Sequence, residues 1–190
     1  YDWANSAYST TVMAGFFPIF FEKFYSNPDD VIQSTYQLGM ANSISSIFIA
    51  LVSPFLGAIA DRGSAKKKLL ITFAFLGVLM TAALWFVEQG EWQLAVFFYV
   101  IATIGFMAGN IFYDSLLPAV ASRERIDYVS ALGYSLGYLG GGLLFLVNVL
   151  MYLHPDWFGI PDSSTAIRIS FLSVAIWWAV FTLPIIIFLP

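Results

Sequence analysis

The sequence predicts an all-α membrane protein with six transmembrane helices. Hydrophobic residues make up 59% of the chain and charged residues only 11%, whereas soluble domains carry about 25% charged residues. The apolar runs repeatedly reach about twenty residues, which is the length that crosses roughly 30 Å of hydrocarbon as a helix. Charged and helix-breaking residues fall between these runs, so each run is interpreted as one span.

The predicted spans follow from the connections that separate them. The first run lacks a basic leader segment and a cleavage site, so it is interpreted as a span and not as a signal peptide. The clearest turn signals are Asn27-Pro28-Asp29-Asp30 and the segment from Pro155 to Pro161-Asp162. Both ends abut apolar helix, and we expect them to be cut from a longer polypeptide. The expected spans are roughly residues 4–25, 36–60, 67–87, 93–117, 128–153 and 165–189.

Basic residues alternate between the connections. The third connection carries Glu88 and Glu91 without a base, and Lys23 stands alone beside the first. Because cytoplasmic loops are enriched in Lys and Arg, we expect the amino terminus and the even connections to be cytoplasmic, in the inner membrane of a bacterium. A lipid bilayer, and no nucleic acid, is the expected partner. Six of the eight basic residues lie in the second and fourth connections: Arg62, Lys66, Lys67, Lys68, Arg123 and Arg125.

The second connection has an ordered pattern beyond its charge. Gly57 is interpreted as a site of close helix approach, Asp61 and Arg62 follow where the helix leaves the apolar zone, and Lys66 and Lys67 begin the next span. A solvated loop that only sets topology is the alternative. The order resembles the signature loop between the second and third helices of the major facilitator superfamily, although Ser64 stands where that pattern has its second glycine.

That resemblance implies a fold and a missing partner. Major facilitator transporters have twelve helices, and each six-helix half consists of two three-helix inverted repeats. Residues 1–190 are therefore expected to form the amino-terminal half of a major facilitator fold, with a 3+3 inverted repeat. The carboxy-terminal six-helix half would be the missing partner, and this half should not transport alone.

Polar side chains form stripes inside the apolar spans. A polar group that faces lipid is costly, so it normally faces protein or a wet cavity. We predict a gate contact on the cytoplasmic side, beside Asp61, in which Asp114 pairs with one of the basic residues of the second connection, with Arg62 favoured over residues 66–68. Substrate or proton binding by Asp114 stays open. The hydroxyl groups have a structural alternative, which is bonding to their own helix, and Asn5 could simply join two helices. The predicted pathway residues are Asp2, Asn5, Ser9, Thr103, Asn110, Tyr134 and Tyr138.

The fifth span is rich in glycine at a packing spacing. Gly133, Gly137 and Gly141 repeat every four residues, a pattern that lets helix backbones approach closely in membranes. We interpret most of these glycines as positions where two helices pack closely. The segment also loosely resembles a glycine-rich motif of superfamily exporters, without that motif's proline.

Four segments together resemble the autophagy-related vacuolar effluxer family and its bacterial permease relatives. They are YDWANSAY at residues 1–8, PFLGAIADR at 54–62, FYDSLLP at 112–118 and SALGYSLGY at 130–138. The resemblance implies a secondary carrier that works by alternating access around helices one and four, and export of amino acids or similar small metabolites. A carrier of sugars or drugs and a non-transporting membrane scaffold are the alternatives.

Enzymatic and metal chemistry are not expected. The chain has no cysteine and a single histidine, His154, in an outer connection, and Asp114 is the one carboxylate set clearly within a span. An intramembrane enzyme would need several such groups together. We expect no catalytic residue, metal or cofactor, while proton coupling stays open.

Overall fold

The computed structural model describes residues 1–61 and 65–189, apart from the side chain of Asp61, and contains no strand among them. Helical segment α1 runs from residue 2 to residue 25. The following helices are α2 (Val31–Asp61), α3 (Lys66–Ala83, with a 3₁₀ turn at Leu84–Phe86), α4 (Trp92–Val120), α5 (Ile126–Leu153) and α6 (Ser163–Phe188). The predicted all-α class is confirmed.

Five helices, α2 to α6, are long and apolar enough to cross a bilayer. Segment α1 differs because it alternates between α-helix (Asp2–Ala7, Phe17–Phe20) and π-helix (Tyr8–Phe16, Phe21–Tyr25). The protein is therefore an integral, multi-pass membrane protein, whereas the sixth span and the inverted repeat stay predictions.

Every helix begins one to five residues earlier than predicted, and acidic caps explain the early starts of α2 and α6. α2 begins at Val31 and not at residue 36, because an oxygen of the Asp30 carboxylate accepts a hydrogen bond from the Gln33 amide at 2.9 Å. Asp162 caps α6 in the same way, accepting from the Thr165 amide at 2.8 Å. That bond to the backbone holds the pKa of Asp162 below its usual range, because it favours the charged carboxylate.

The helices form a bundle in which α1 is enclosed. α1 packs mainly against α5 and α6, α2 packs against α4, and α3 lies between α4 and α6. Aromatic rings fill the core around α1; Phe17 and Tyr99 stack with ring centroids 4.0 Å apart, and Trp178 is fully buried. In contrast, α2 and α5 expose long apolar faces.

Alternate connections lie at the same end of the bundle. The Gly90 amide donates to the Phe24 carbonyl at 3.0 Å, which brings the first and third connections together. At the opposite end, the Lys66 ammonium donates to the Ser115 carbonyl at 3.1 Å. The described basic residues of the even connections therefore share one end, as the topology prediction requires.

Glycines bring α5 against α1, as the four-residue spacing predicted. A Cβ added to Gly133 would lie 2.6 Å from a carboxylate oxygen of Asp2, and one on Gly137 would lie 2.6 Å from the Ser6 hydroxyl. At Gly141 the obstacle is backbone, because the added atom would be 2.9 Å from the Ser6 carbonyl oxygen. Only a residue without a side chain fits at this crossing.

We expect Gly141→Ala to destabilise the protein and Gly142→Ala to leave it unchanged or slightly more stable. The added methyl at residue 141 must push the α1 backbone away, and such overpacking costs about 1–3 kcal/mol. Among the described residues, a Cβ at Gly142 meets no heavy atom within 4 Å, and alanine favours helix there. Thermal unfolding of the intact protein in detergent compares the two; equal midpoints would contradict this account of the crossing.

Candidate functional site

A cavity of about 390 Å³ opens between α1, α4 and α5. Most of its lining residues carry a polar group on the side chain, although the three helices that form the walls are apolar overall. Six predicted pathway residues contribute to it, together with Asp114. The lining residues are Asp2, Asn5, Ser6, Ser9, Thr10, Phe106, Asn110, Asp114, Tyr134 and Tyr138.

The two asparagines join α1 to α4 at the wall of this cavity. The Asn5 side-chain amide donates to the Asn110 side-chain oxygen at 2.6 Å. Asn5 is only 2% exposed, whereas Asn110 is half-buried. The interpretation of Asn5 as a link between helices is confirmed, and the link itself borders the cavity.

Asp2 has a partner that the sequence analysis did not assign. The Tyr113 hydroxyl donates to an oxygen of the Asp2 carboxylate at 2.9 Å. This bond ties the beginning of α1 to α4, one turn nearer the basic end than the asparagine pair. The position of Tyr113 beside Asp114 was the only signal in the sequence.

Two of the α1 hydroxyl groups at the cavity bond back to their own helix. Ser9 and Thr10 both donate to the Ser6 carbonyl at 2.9 Å. This confirms the structural alternative for their hydrogen bonding. Their side chains nevertheless remain part of the cavity wall.

Thr103 lines a different cavity from the other predicted residues. This second space, of about 420 Å³, lies between α1, α2 and α4 and shares Ser9 with the first. Thr103 is 1% exposed, and its hydroxyl lies 2.8 Å from the Tyr8 hydroxyl. The residues of α4 therefore divide between two cavities on either side of Ser9, and Thr103 lies apart from Asn110.

Asp114 and the two tyrosines lie at the open side of the first cavity. Asp114 is exposed, as are Tyr134 and Tyr138, whose hydroxyls are 3.2 Å apart. Asp114 also borders an adjoining cavity of about 350 Å³ with Asp127. These side chains are accessible from the same end of the bundle as the basic connections.

Among the described basic residues, none forms an ion pair with Asp114. The nearest lysines are bound elsewhere, since Lys66 donates to the Ser115 carbonyl and Lys67 to the Leu189 carbonyl. The predicted partner, Arg62, lies outside the described residues, as does the Asp61 side chain. The gate contact therefore stays a prediction.

The interpretation of Gly57 as a close-packing site is not supported in this half. A Cβ added to Gly57 would meet no heavy atom within 4 Å in the part of the chain that the structure describes. The reason is the position of α2, which packs against α4 but leaves much of its surface uncovered.

Residues 1–61 and 65–189 contain no candidate metal-binding site. No three His, Cys, Asp or Glu side chains in these ranges are arranged to hold an ion. The chemistry of the first cavity is accordingly that of amides, hydroxyls, aromatic rings and carboxylates.

Five long apolar helices define the class to which this chain belongs, that of polytopic membrane proteins. The family model described as "Vacuole effluxer Atg22 like" matches residues 30–190, and the chain belongs to that family. The predicted resemblance to major facilitator transporters is thereby confirmed. No solved structure matches the chain.

The relatives include a protein named as a transporter, autophagy-related protein 22 and a multidrug resistance protein. The chain is 40% identical over 188 residues to the uncharacterized MFS-type transporter YxiO of Bacillus subtilis, covering 98% of this chain and 44% of that protein. It is 26% identical to autophagy-related protein 22 of Pichia angusta, over 88% of this chain and 33% of that protein. Multidrug resistance protein MdtG of Dickeya zeae is 35% identical over 56% of this chain and 25% of its own length. The chain thus spans less than half the length of these relatives.

Proposed function

We propose that the chain is the amino-terminal half of a secondary active transporter that exports amino acids or similar small metabolites by alternating access. The observation that carries the proposal is the polar cavity between α1, α4 and α5. Polar groups are costly in a membrane protein unless they are paired or face water. A cavity with ten lining residues, most of them polar, is the environment that a hydrophilic solute needs.

The packing of the helices supports an inverted repeat. In such a repeat, α1, α2 and α3 correspond to α4, α5 and α6. The pair of α1 and α5 then corresponds to the pair of α4 and α2, and the pair of α1 and α6 corresponds to the pair of α4 and α3. All four pairs pack against each other. Helices one and four would then be equivalent and would face a central pathway, as in carriers built from such repeats.

Alternating access requires a gate, and the basic end of the bundle supplies its residues. Asp114 borders the cavity beside Lys66, and Arg62 with Asp61 belongs to the same end in sequence. We propose that Asp61, Arg62 and Asp114 close this end during part of the cycle. With the positive-inside rule, the end would be cytoplasmic.

A missing second half completes the proposal. The relatives are more than twice as long as this chain, and a carrier's substrate lies between two rocking halves. The outward apolar faces of α2 and α5 are available to that half or to lipid. Carriage of drugs is a second candidate, favoured by the similarity to MdtG.

Water accessibility tests the proposal against a non-transporting scaffold. The chain has no cysteine, so we expect single cysteines at Asn110 and Tyr138 of the intact protein to react with a membrane-impermeant maleimide. Ala108, on the same helix as Asn110 and fully buried, is the matched control and should stay protected. Protection at both test positions would favour the scaffold.

Transport itself is measured in proteoliposomes. Uptake and efflux of radiolabelled amino acids, with and without an imposed proton gradient, should exceed that of protein-free vesicles. A well-folded protein that moves no solute of any class would overturn the proposed function.

A further inference from the structure

We propose that the first cavity recognises its solute through a positively charged ammonium group. The inference rests on the proposed transport function and goes beyond it by naming the chemical group that is bound. Either an organic amine or the α-ammonium of an amino acid carries that group. Three features of the cavity lead to this class of solute.

The first feature is the sign of the charge. Asp2 and Asp114 line the cavity, and within residues 1–61 and 65–189 none of the lining residues is a Lys, Arg or His. The lysines nearest to Asp114, Lys66 and Lys67, donate to backbone carbonyls instead. In a cleft with low-dielectric walls, charges of one sign attract the opposite charge more strongly than in bulk water.

The second feature is the hydrogen-bonding state of Asp2. Its carboxylate accepts one bond in the described part of the chain, from the Tyr113 hydroxyl to Oδ2. A carboxylate offers about four acceptor positions on two oxygens, so Oδ1 remains for a ligand. The Tyr113 bond and the glycine surface of α5 fix this side chain, because Gly133 lies directly against it.

The third feature is a pair of aromatic rings on the facing wall. The rings of Tyr134 and Tyr138 meet edge to face, with centroids 4.9 Å apart, and both side chains are about 60% exposed. Phe106 adds a ring from α4. Aromatic faces beside a carboxylate are the usual surroundings of bound ammonium groups, because the ring faces attract cations.

Asn5 and Asn110 add neutral hydrogen-bonding groups to the cavity, and neither carries a positive charge that would attract an anion. Asn110 is half-buried, so its amide is reachable from the cavity, and it can orient a neutral or polar part of the solute. The proposal rests on Asp2, Tyr134 and Tyr138. It therefore holds whether or not Asp114 pairs with a basic residue.

The test is equilibrium binding to the intact, purified protein, measured by titration calorimetry. The probes are ethanolamine hydrochloride, L-leucine, sodium butyrate and glucose. We expect the two ammonium compounds to bind, and Asp2→Asn to weaken both by about ten-fold or more, because a charge-assisted bond is lost. Asp156→Asn, which makes the same change at the opposite end of the bundle, should leave both affinities unchanged.

A second pair of variants, at Tyr138, tests the proposal independently of Asp2. Tyr138→Phe retains the ring and should preserve ethanolamine binding, whereas Tyr138→Leu should weaken it several-fold. Thermal unfolding of each variant confirms that it is folded. Tighter binding of ethanolamine than leucine would identify an organic amine as the source of the ammonium group, and the reverse order would identify an amino acid.

Two outcomes would overturn this inference. One is binding of butyrate or glucose without binding of either ammonium compound, and the other is equal affinities for Asp2→Asn and Asp156→Asn. The second outcome leaves the transport proposal untouched. The first would exclude amino acids as the solute, but the protein could still be a carrier of anions or sugars, which transport into proteoliposomes would show. Absence of transport for every probe would instead contradict the proposed function.

Discussion

Gly105→Leu should prevent the bundle from folding. Gly105 lies where α4 crosses α3, and a Cβ added there would be 2.7 Å from the Phe73 carbonyl oxygen and 2.8 Å from the Gly77 amide nitrogen. Both obstacles are backbone atoms of α3, so no side-chain rotation can relieve the clash. Overpacking by a few methylenes already costs about 1–3 kcal/mol, and leucine adds four carbons at a rigid crossing. The total cost of the clash is therefore comparable with the whole free energy of unfolding of a folded protein, which is about 5–15 kcal/mol.

The measurement is the size-exclusion profile and the yield of the intact protein carrying a fluorescent fusion. Gly105→Leu should lose the monodisperse peak. Gly39→Leu is the matched control on α2, because a Cβ at Gly39 meets no heavy atom within 4 Å in the part of the chain that the structure describes. This variant should elute like the parent protein. A monodisperse Gly105→Leu protein with an unchanged melting midpoint would mean that α3 and α4 cross differently.

The helices could be predicted from the sequence because apolar length and charge distribution are local properties. Runs of about twenty apolar residues identified five helices that the structure contains, and acidic caps account for the early starts of α2 and α6. The spacing of Gly133, Gly137 and Gly141 likewise predicted a close crossing. Spacing alone did not identify α1 as the partner, because that depends on tertiary packing.

The division of the polar residues into two cavities could not be predicted. Placing residues at 100° per residue assumes an α-helix, but Tyr8–Phe16 is π-helical with bonds from residue i to i+5. The direction of side chains after Ala7 therefore departs from the assumed stripe. Ser9 lies in this segment and borders both cavities. Thr103 lies on a regular α-helix, and it lines the second cavity because α2 packs against that part of α4.

Interactions between helices could not be predicted from the sequence either. The bond from Tyr113 to Asp2 joins residues 111 positions apart, and no periodicity within one helix indicates such a pair. The same applies to Gly57, whose motif predicted a close neighbour that is absent from the described part of this half. A motif indicates which residues matter, whereas the neighbour depends on the rest of the assembly.

Replacing Asn5 by leucine should reduce transport at least ten-fold in the intact protein. The change removes the 2.6 Å hydrogen bond to Asn110 and places an apolar side chain in the cavity wall. The Asn110 amide loses its protein partner, and an unsatisfied, partly buried polar group costs about 1–3 kcal/mol. We therefore expect both a lower melting midpoint and a loss of solute flux.

The double variant Asn5→Leu/Asn110→Leu separates packing from transport. Replacing both partners by apolar groups of similar shape can be nearly neutral for stability, so the melting midpoint should recover in part. Flux should not recover, because the polar wall is still missing. The two single variants and the double variant form a cycle that measures the coupling between these residues.

Asn148→Leu is the matched control for the asparagine pair. Asn148 is fully buried and donates to the Ser173 hydroxyl at 3.0 Å, between α5 and α6 and away from the cavity. It should lower stability but leave flux per folded molecule unchanged. If the double variant at Asn5 and Asn110 regained flux together with stability, the pair would only join two helices, and the solute pathway would have to lie elsewhere.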